Sequence, residues 1–207
     1  IVKDYNQARV DLLSRELAKK YGTEDRFVAF ASTSKITYPG AGVSAVAASD
    51  ANIEDIKKRL TVQIISYDKL NQLRHSFLYK NLDDLKAQMA KHAEILRPKF
   101  AKMAEVLHKR LGGLGIASWT DPKGGYFISL NVDIGSAKRV GELCGECGVT
   151  LTGVGATYPY GNDPDDANIR LAPSCPTVDE IETAAEVICA AVKIAAAEQL
   201  LGKGEKE

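Results

Sequence analysis

The run FVAFA, residues 27 to 31, is apolar at every position. An alternating strand needs one covered face, whereas a strand apolar throughout needs two, so this run predicts a central strand of a layered α/β fold. Before it, Val10, Leu13, Leu17 and Tyr21 recur at three- and four-residue spacing within residues 4 to 21, the pattern of an amphipathic helix. After it, Val43 to Ala48 reads as a second strand, and SDANIEDIKKRL opens with a Ser/Asp cap and continues as a charged helix.

Residues 68 to 79 predict another helix. From Asp83 to Leu111, the positions Leu85, Met89, Ile95, Leu96, Phe100, Met103 and Leu107 mark a long one, in which Pro98 predicts a kink or break. GGLG should end it, because glycine accepts the backbone angles that close a helix. Beyond Gly115 the texture changes to GIASW and then GGYFISLNV, with short strands expected at VTLT and NIRLAP and helices over residues 136 to 147 and 177 to 200. Short strands joined by helices predict a second, α+β domain, with the long helix as the bridge. The polar tail GKGEKE should fray.

The charge balance narrows the partners. Lys and Arg total 27 and Asp and Glu total 27, and no basic stripe tracks a phosphate backbone, so nucleic acid is not an expected partner. AAEVICAAVKIAAA is interrupted by Glu186 and Lys193, which would each be costly in a bilayer, so it reads as a packed helix and not as a membrane span. IVKDYNQARV carries no secretion-signal pattern, and Cys144, Cys147, Cys175 and Cys189 are not needed as bridges in a chain of 207 residues; a cytoplasmic location is expected. CGEC at 144 to 147 has redox or half-zinc spacing, but no second Cys-x-x-C is present and His75, His92 and His108 lie upstream. Buried or half-buried helix cysteines are the simpler reading, and no metal is expected.

FASTSKITYPGAG holds the residues with chemical content. Lys35 would sit at the carboxyl end of a strand, where open α/β sheets gather ligands. Ser32, Thr33, Ser34 and Thr37 can donate hydrogen bonds, and Gly40 and Gly42 leave the backbone open to a phosphate. A partly desolvated lysine loses its proton more easily and can then attack an aldehyde, chemistry that fits pyridoxal phosphate. Taken singly, the same residues also describe a solvated lysine in an ordinary turn.

With SxSK, GGYFISL and NIRLAPS in that order, the chain resembles the fold-type I pyridoxal-phosphate aminotransferases, most closely a bacterial aspartate-aminotransferase-like subgroup. FASTSKITYPGAGVS, KHAEILRPKF, PKGGYFISL, LTGVGATYPYG and NIRLAPS are similar to that subgroup's segments in succession. The resemblance implies an α/β chain forming the C-terminal part of such an enzyme. Residues 1–82 would be the end of the large cofactor-binding domain, and residues 83–207 the connecting helix and small domain. It implies pyridoxal 5'-phosphate as cofactor, an amino acid (aspartate or similar) and a 2-oxo acid as substrates, and a homodimer. Lys35 would be the lysine that forms a Schiff base with the cofactor, Ser32 and Ser34 would contact its phosphate, and Arg170 would grip the substrate's α-carboxylate through two parallel hydrogen bonds.

Two departures accompany the resemblance. Many relatives carry an arginine eight residues after the lysine, opposite the cofactor phosphate, and Val43 stands there. Family members are also much longer, so apolar sheet and helix faces of this chain are expected to be exposed, and the isolated polypeptide is expected to be inactive. Tyr158 and Tyr160 would line a substrate entrance or sit as half-buried aromatics on a surface loop. Tyr126 is expected in the core of the small domain, and LNQLRH is expected to open a helix near the subunit interface, with no catalytic role for Arg74 or His75. An effector-sensing domain of a transcription regulator and a cofactor-dependent lyase are the alternative readings on the same scaffold.

Overall fold

The computed structural model describes residues 14–204, the side chains of 203 and 204 excepted. The described residues fall into two compact units that divide between Ala93 and Glu94, within one long helix.

In the first unit, residues 14–20 are helical (α1), as the apolar spacing predicts, with Leu17 and Tyr21 exposed; Val10 and Leu13 lie outside the described residues. A short 3-10 turn, Glu24–Arg26, leads to β1, Ala29–Ser32, which pairs antiparallel with β2, Ser44–Ala47. The register runs from Ala29 opposite Ala47 to Ser32 opposite Ser44. Both strands fall where the apolar runs place them. The predicted cover on both faces of β1 is not found, because the sheet has two strands among the described residues and Phe30 is 80% exposed.

Helix α2, Asp50–Gln63, starts after Ser49, whose carbonyl accepts from Ile53 N at 2.9 Å while its hydroxyl makes no cap bond. None of its residues is buried. Helix α3, Lys69–Leu78, is capped by Asp68, whose Oδ1 accepts from Asn71 N at 2.9 Å. Val62, Ile65, Leu70 and Phe77 stand exposed, as expected of a chain whose apolar faces are not all covered from within.

Helix α4, Leu82–Leu111, is not broken at Pro98. The proline forfeits an N–H bond and strains the turn before it, about 3 kcal/mol in a helix interior. That cost is offset downstream, where Met103, Val106, Leu107 and Leu111 are buried in the core of the second unit. There β3, Ala117–Trp119, β4, Ile128–Val132, and β5, Asn168–Leu171, form an antiparallel sheet in the order β3-β4-β5. Side chains alternate across a strand, and Ile128, Leu130 and Val132 of β4 with Ile169 and Leu171 of β5 are buried. Each such side chain contributes about 1.5–3 kcal/mol when fully buried.

Helix α5, Ala137–Glu146, is capped by Ser136, and with α6, Val178–Gly204, it completes the core. Val140 and Cys144 of α5 and Ile181, Ile188 and Val192 of α6 are all buried in it. Gly135 makes the approach possible: a Cβ there would lie 3.0 Å from the backbone of Ala195, and its φ of +113° disfavours any larger residue. The predicted strand at VTLT is absent. Val149 spends its N–H on the Cys144 carbonyl at 2.8 Å, closing α5 after Gly148, so residues 149–152 leave the helix without joining a ladder. Residues 202–204, the start of the tail expected to fray, remain helical, and 205–207 lie outside the described residues.

All four cysteines are free. Cys144 and Cys189 are buried, whereas Cys147 caps the end of α5 and is exposed like Cys175. No cluster of metal-ligating side chains occurs among the described residues. No described helix is long and apolar enough to cross a membrane.

Candidate functional site

The first unit gathers its polar side chains around the turn that follows β1. Lys35 lies in the turn at residues 34–36 and is exposed, so the described residues of this unit do not desolvate it as the sequence leads one to expect. The amides of Ile36 and Thr37 both donate to the Thr33 carbonyl at 2.9 Å, which sets the Lys35 backbone inside one tight helical turn. Beside it the Ser32 and Ser34 hydroxyls hydrogen-bond each other, and Ser34 N donates to Ser32 Oγ at 3.2 Å. Two hydroxyls are thereby held side by side at the end of the strand.

The return limb of the loop closes against this turn. Thr33 N donates to the Val43 carbonyl and Val43 N donates to Thr33 Oγ1, each at 2.9 Å. Gly42 is needed there: a Cβ would lie 2.8 Å from the Cα and N of Ser34, closer than real Cβ atoms approach backbone. A cavity of about 830 Å³ opens next to the ribbon, lined in part by Ser32, Gly42, Val43, Tyr67 and Asn71.

Helix α3 braces the loop, and this the sequence reading missed. Asn71 Nδ2 donates to the carbonyls of Ala41 at 2.7 Å and Gly42 at 3.1 Å. One turn later, His75 Nδ1 is 2.9 Å from the Asn71 carbonyl and Nε2 is 2.8 Å from Thr37 Oγ1. A carbonyl only accepts, so Nδ1 carries the proton; in the neutral ring Nε2 then accepts from the Thr37 hydroxyl. Thr33 Oγ1 stands 3.4 Å from the same Nε2 and 3.1 Å from Thr37 Oγ1. Asn71, His75 and Thr37 are all buried. The imidazole is flanked by Tyr38, edge-on at 6.2 Å, and by Tyr79 at 5.9 Å. Burial first, and then the Tyr38 hydroxyl, push the Tyr79 phenol up to about 12. The four-residue spacing of Asn71 and His75 put them on one helix face and was the signal available.

In the second unit, β4 and β5 turn one face to the core and the other outward. Ser129 and Arg170 are register partners on the outward face, and Phe127, two residues before Ser129, shares its side. The Arg170 guanidinium carbon lies 4.6 Å from the Phe127 ring centroid. Its Nε is buried without a hydrogen-bond partner, and among the described residues Arg170 joins no ion pair. Arg139, by contrast, is bound to Glu198 through Nε and Nη2 at 2.9 and 3.0 Å. A half-buried guanidinium paired with no carboxylate among the described residues fits an anionic ligand.

The loop before β5 is anchored beside Arg170. Asp163 accepts from Asn168 N, Ala167 N and Asp165 N at 2.8, 2.9 and 3.1 Å, and these backbone donors, Asn168 first, hold its carboxyl below the usual range. Asn168 Nδ2 donates to Ser129 Oγ and Asn131 Oδ1, and its Oδ1 accepts from Thr157 at 2.7 Å. Tyr158 and Tyr160 are exposed on that loop, Tyr160 fully and with a φ of 58°. Tyr126, expected in the core, is half-buried and outside the apolar cluster, because the inward positions of β4 begin at Ile128. Partial burial still raises its phenol pKa.

The model of the aspartate amino-transferase family matches residues 3–204. The chain belongs to that family. An aspartate aminotransferase of Corynebacterium glutamicum is 46% identical over 182 residues, which are 88% of this chain and 42% of the relative. A protein of Mycolicibacterium smegmatis is 46% identical over 193 residues, 93% of this chain and 45% of its own length. The crystal structure of a Corynebacterium glutamicum aspartate transaminase superposes with a TM-score of 0.83 at 46% identity, covering 88% of this chain and 43% of that one. The α-aminoadipate aminotransferase of Thermus thermophilus, complexed with N-(5'-phosphopyridoxyl)-L-leucine, shares the fold at a TM-score of 0.70 and 22% identity. This member of the aspartate aminotransferase family therefore has a partial fold-type I architecture, matching the C-terminal part of relatives less than half of whose length it spans.

Proposed function

We propose that the protein containing this chain transfers amino groups between an amino acid, aspartate or a close analogue, and a 2-oxo acid, with pyridoxal 5'-phosphate as cofactor. On this reading residues 1–82 belong to the large cofactor-binding domain and residues 83–207 to the connecting helix and small domain. The enzyme works as a homodimer with the remainder of each chain present. What most supports the reading is the setting of Lys35: an amine on a hydrogen-bonded turn, next to the Ser32 and Ser34 hydroxyl pair, with the loop pinched shut at Gly42.

These residues fit the cofactor's phosphate in geometry and not fully in charge. Ser32 and Ser34 can each donate to a phosphate oxygen, and the backbone at Gly42 carries no side chain to keep it away. Val43 supplies no cation, so positive charge opposite the phosphate, other than Lys35 itself, would have to come from another segment or subunit. When bound, pyridoxal phosphate supplies an aldehyde that takes up amino groups and a ring that stores the electrons released as Cα loses its proton.

The chain's own residues divide the rest of the work. The Lys35 amine would take up the proton that leaves Cα, acting as a general base, and could then give it up again as a general acid. Arg170 holds the α-carboxylate with two parallel hydrogen bonds, which fixes the direction of the Cα–H bond. Phe127 supports one face of the guanidinium and leaves its edge to the substrate. Product analysis of the full-length protein given aspartate and 2-oxoglutarate tests the reaction class. Oxaloacetate and glutamate are expected; ammonia with fumarate, or alanine with carbon dioxide, both formed without 2-oxoglutarate, would assign a lyase instead.

A further inference from the structure

Lys35 sits midway between two threonines: Thr37 is tied to His75 of α3 at 2.8 Å, and Thr33 Oγ1 lies 3.1 Å from Thr37 Oγ1. Asn71 of the same helix holds the return limb at Ala41 and Gly42. Two successive turns of one helix thus grip both limbs of the loop, and the polar groups they use are buried and paired with one another. Buried polar groups in a closed hydrogen-bonded set resist rearrangement, since breaking one bond strands its partner away from water.

We propose that His75, acting through Thr37 and Thr33, is a positioning residue that fixes where the Lys35 amine enters and leaves the reaction. The inference rests on Lys35 being the reactive amine. His75 acts on the turn from which the lysine extends. A base that must collect a proton from one carbon and deliver it to another depends on that origin, and a displacement of about 1 Å costs on the order of a hundredfold in rate.

The test uses the full-length enzyme and three variants. Thr37→Val keeps the shape of a side chain that is 1% exposed and removes its hydroxyl, Thr37→Ser keeps the hydroxyl, and His75→Gln removes the imidazole from the helix side. Amide hydrogen exchange over residues 33–43, read without cofactor, reports the anchor itself; kcat and KM report its use. For Thr37→Val and His75→Gln the expected result is faster exchange in that segment, a kcat lower by roughly tenfold to a hundredfold and an amino-acid KM within about twofold of wild type. Thr37→Ser is expected to restore both readouts. Unchanged exchange and kcat in Thr37→Val, or a Thr37→Ser variant as impaired as the valine, would overturn the proposal. Thermal midpoints separate these outcomes from misfolding. A wild-type enzyme that transaminates nothing would instead defeat the proposed function, while the exchange data still decide whether the anchor holds the loop.

Discussion

The Arg170 guanidinium lies over the Phe127 ring, 4.6 Å from its centroid, on the outward face of the β4-β5 pair. The ring closes one side of the cation, and no carboxylate among the described residues closes the other. An arginine free of protein acceptors but fixed in direction is prepared for a ligand at its edge.

Removing the ring should therefore weaken substrate binding without touching the chemistry of the lysine. For Phe127→Leu in the full-length enzyme, loss of a cation–π contact of about 0.5–2 kcal/mol predicts a KM for the amino acid about two- to thirtyfold higher, with kcat nearly constant. Arg170→Lys keeps the charge and loses the fork, so its kcat/KM should fall further, by on the order of a hundredfold or more. Steady-state kinetics on the two variants separate a supporting ring from a binding cation.

Asp163 gives the same region an acid dependence. Its carboxyl is held below the usual range by the backbone donors of Asn168, Ala167 and Asp165, so the folded pKa lies under the unfolded one. Such a group contributes stability that is fully present above the unfolded value, about 3.9, and is lost as pH falls through the folded value. Loosening of residues 163–168 on acidification is expected, followed by amide exchange, and Asp163→Ala should show the same loosening already at neutral pH.

The thiols should divide by burial. Desolvation pushes Cys144 and Cys189 each up to about 11, whereas Cys147 and Cys175 are exposed. At pH 8 a thiol of pKa 11 is thiolate to about one part in a thousand, and the thiolate is the nucleophile. Brief alkylation read by peptide mass spectrometry should label Cys147 and Cys175 first, leaving Cys144 and Cys189 until the fold opens. Rapid labelling of Cys144 would contradict its place under α6.

The elements that were legible in the sequence are those whose own pattern decides them. The apolar runs gave β1 and β2, the three- and four-residue spacing gave α4, and Gly113, with a φ of +76°, ended that helix as glycine does. VTLT misled because β propensity reports a surface that fits a sheet, and here no ladder was open to receive it once Val149 had closed α5. The cover of β1 misled for a related reason: an apolar run states a need for neighbours without supplying them, and Phe30 stands exposed in a two-stranded ribbon. Lys35, Ser32 and Ser34 were readable because their spacing is local. The pairing of Thr37 with His75 and of Arg170 with Phe127 was not, since the first spans 38 residues and the second a sheet face, distances at which sequence carries no register of its own.

The amine of Lys35 is tested most directly by borohydride reduction of the full-length protein with its cofactor, followed by peptide mapping. A single phosphopyridoxyl label on Lys35, absent from Lys35→Ala together with the visible absorbance and the transamination, is the predicted result. A label on any other lysine, or a Lys35→Ala protein that keeps its colour and its rate, would contradict it.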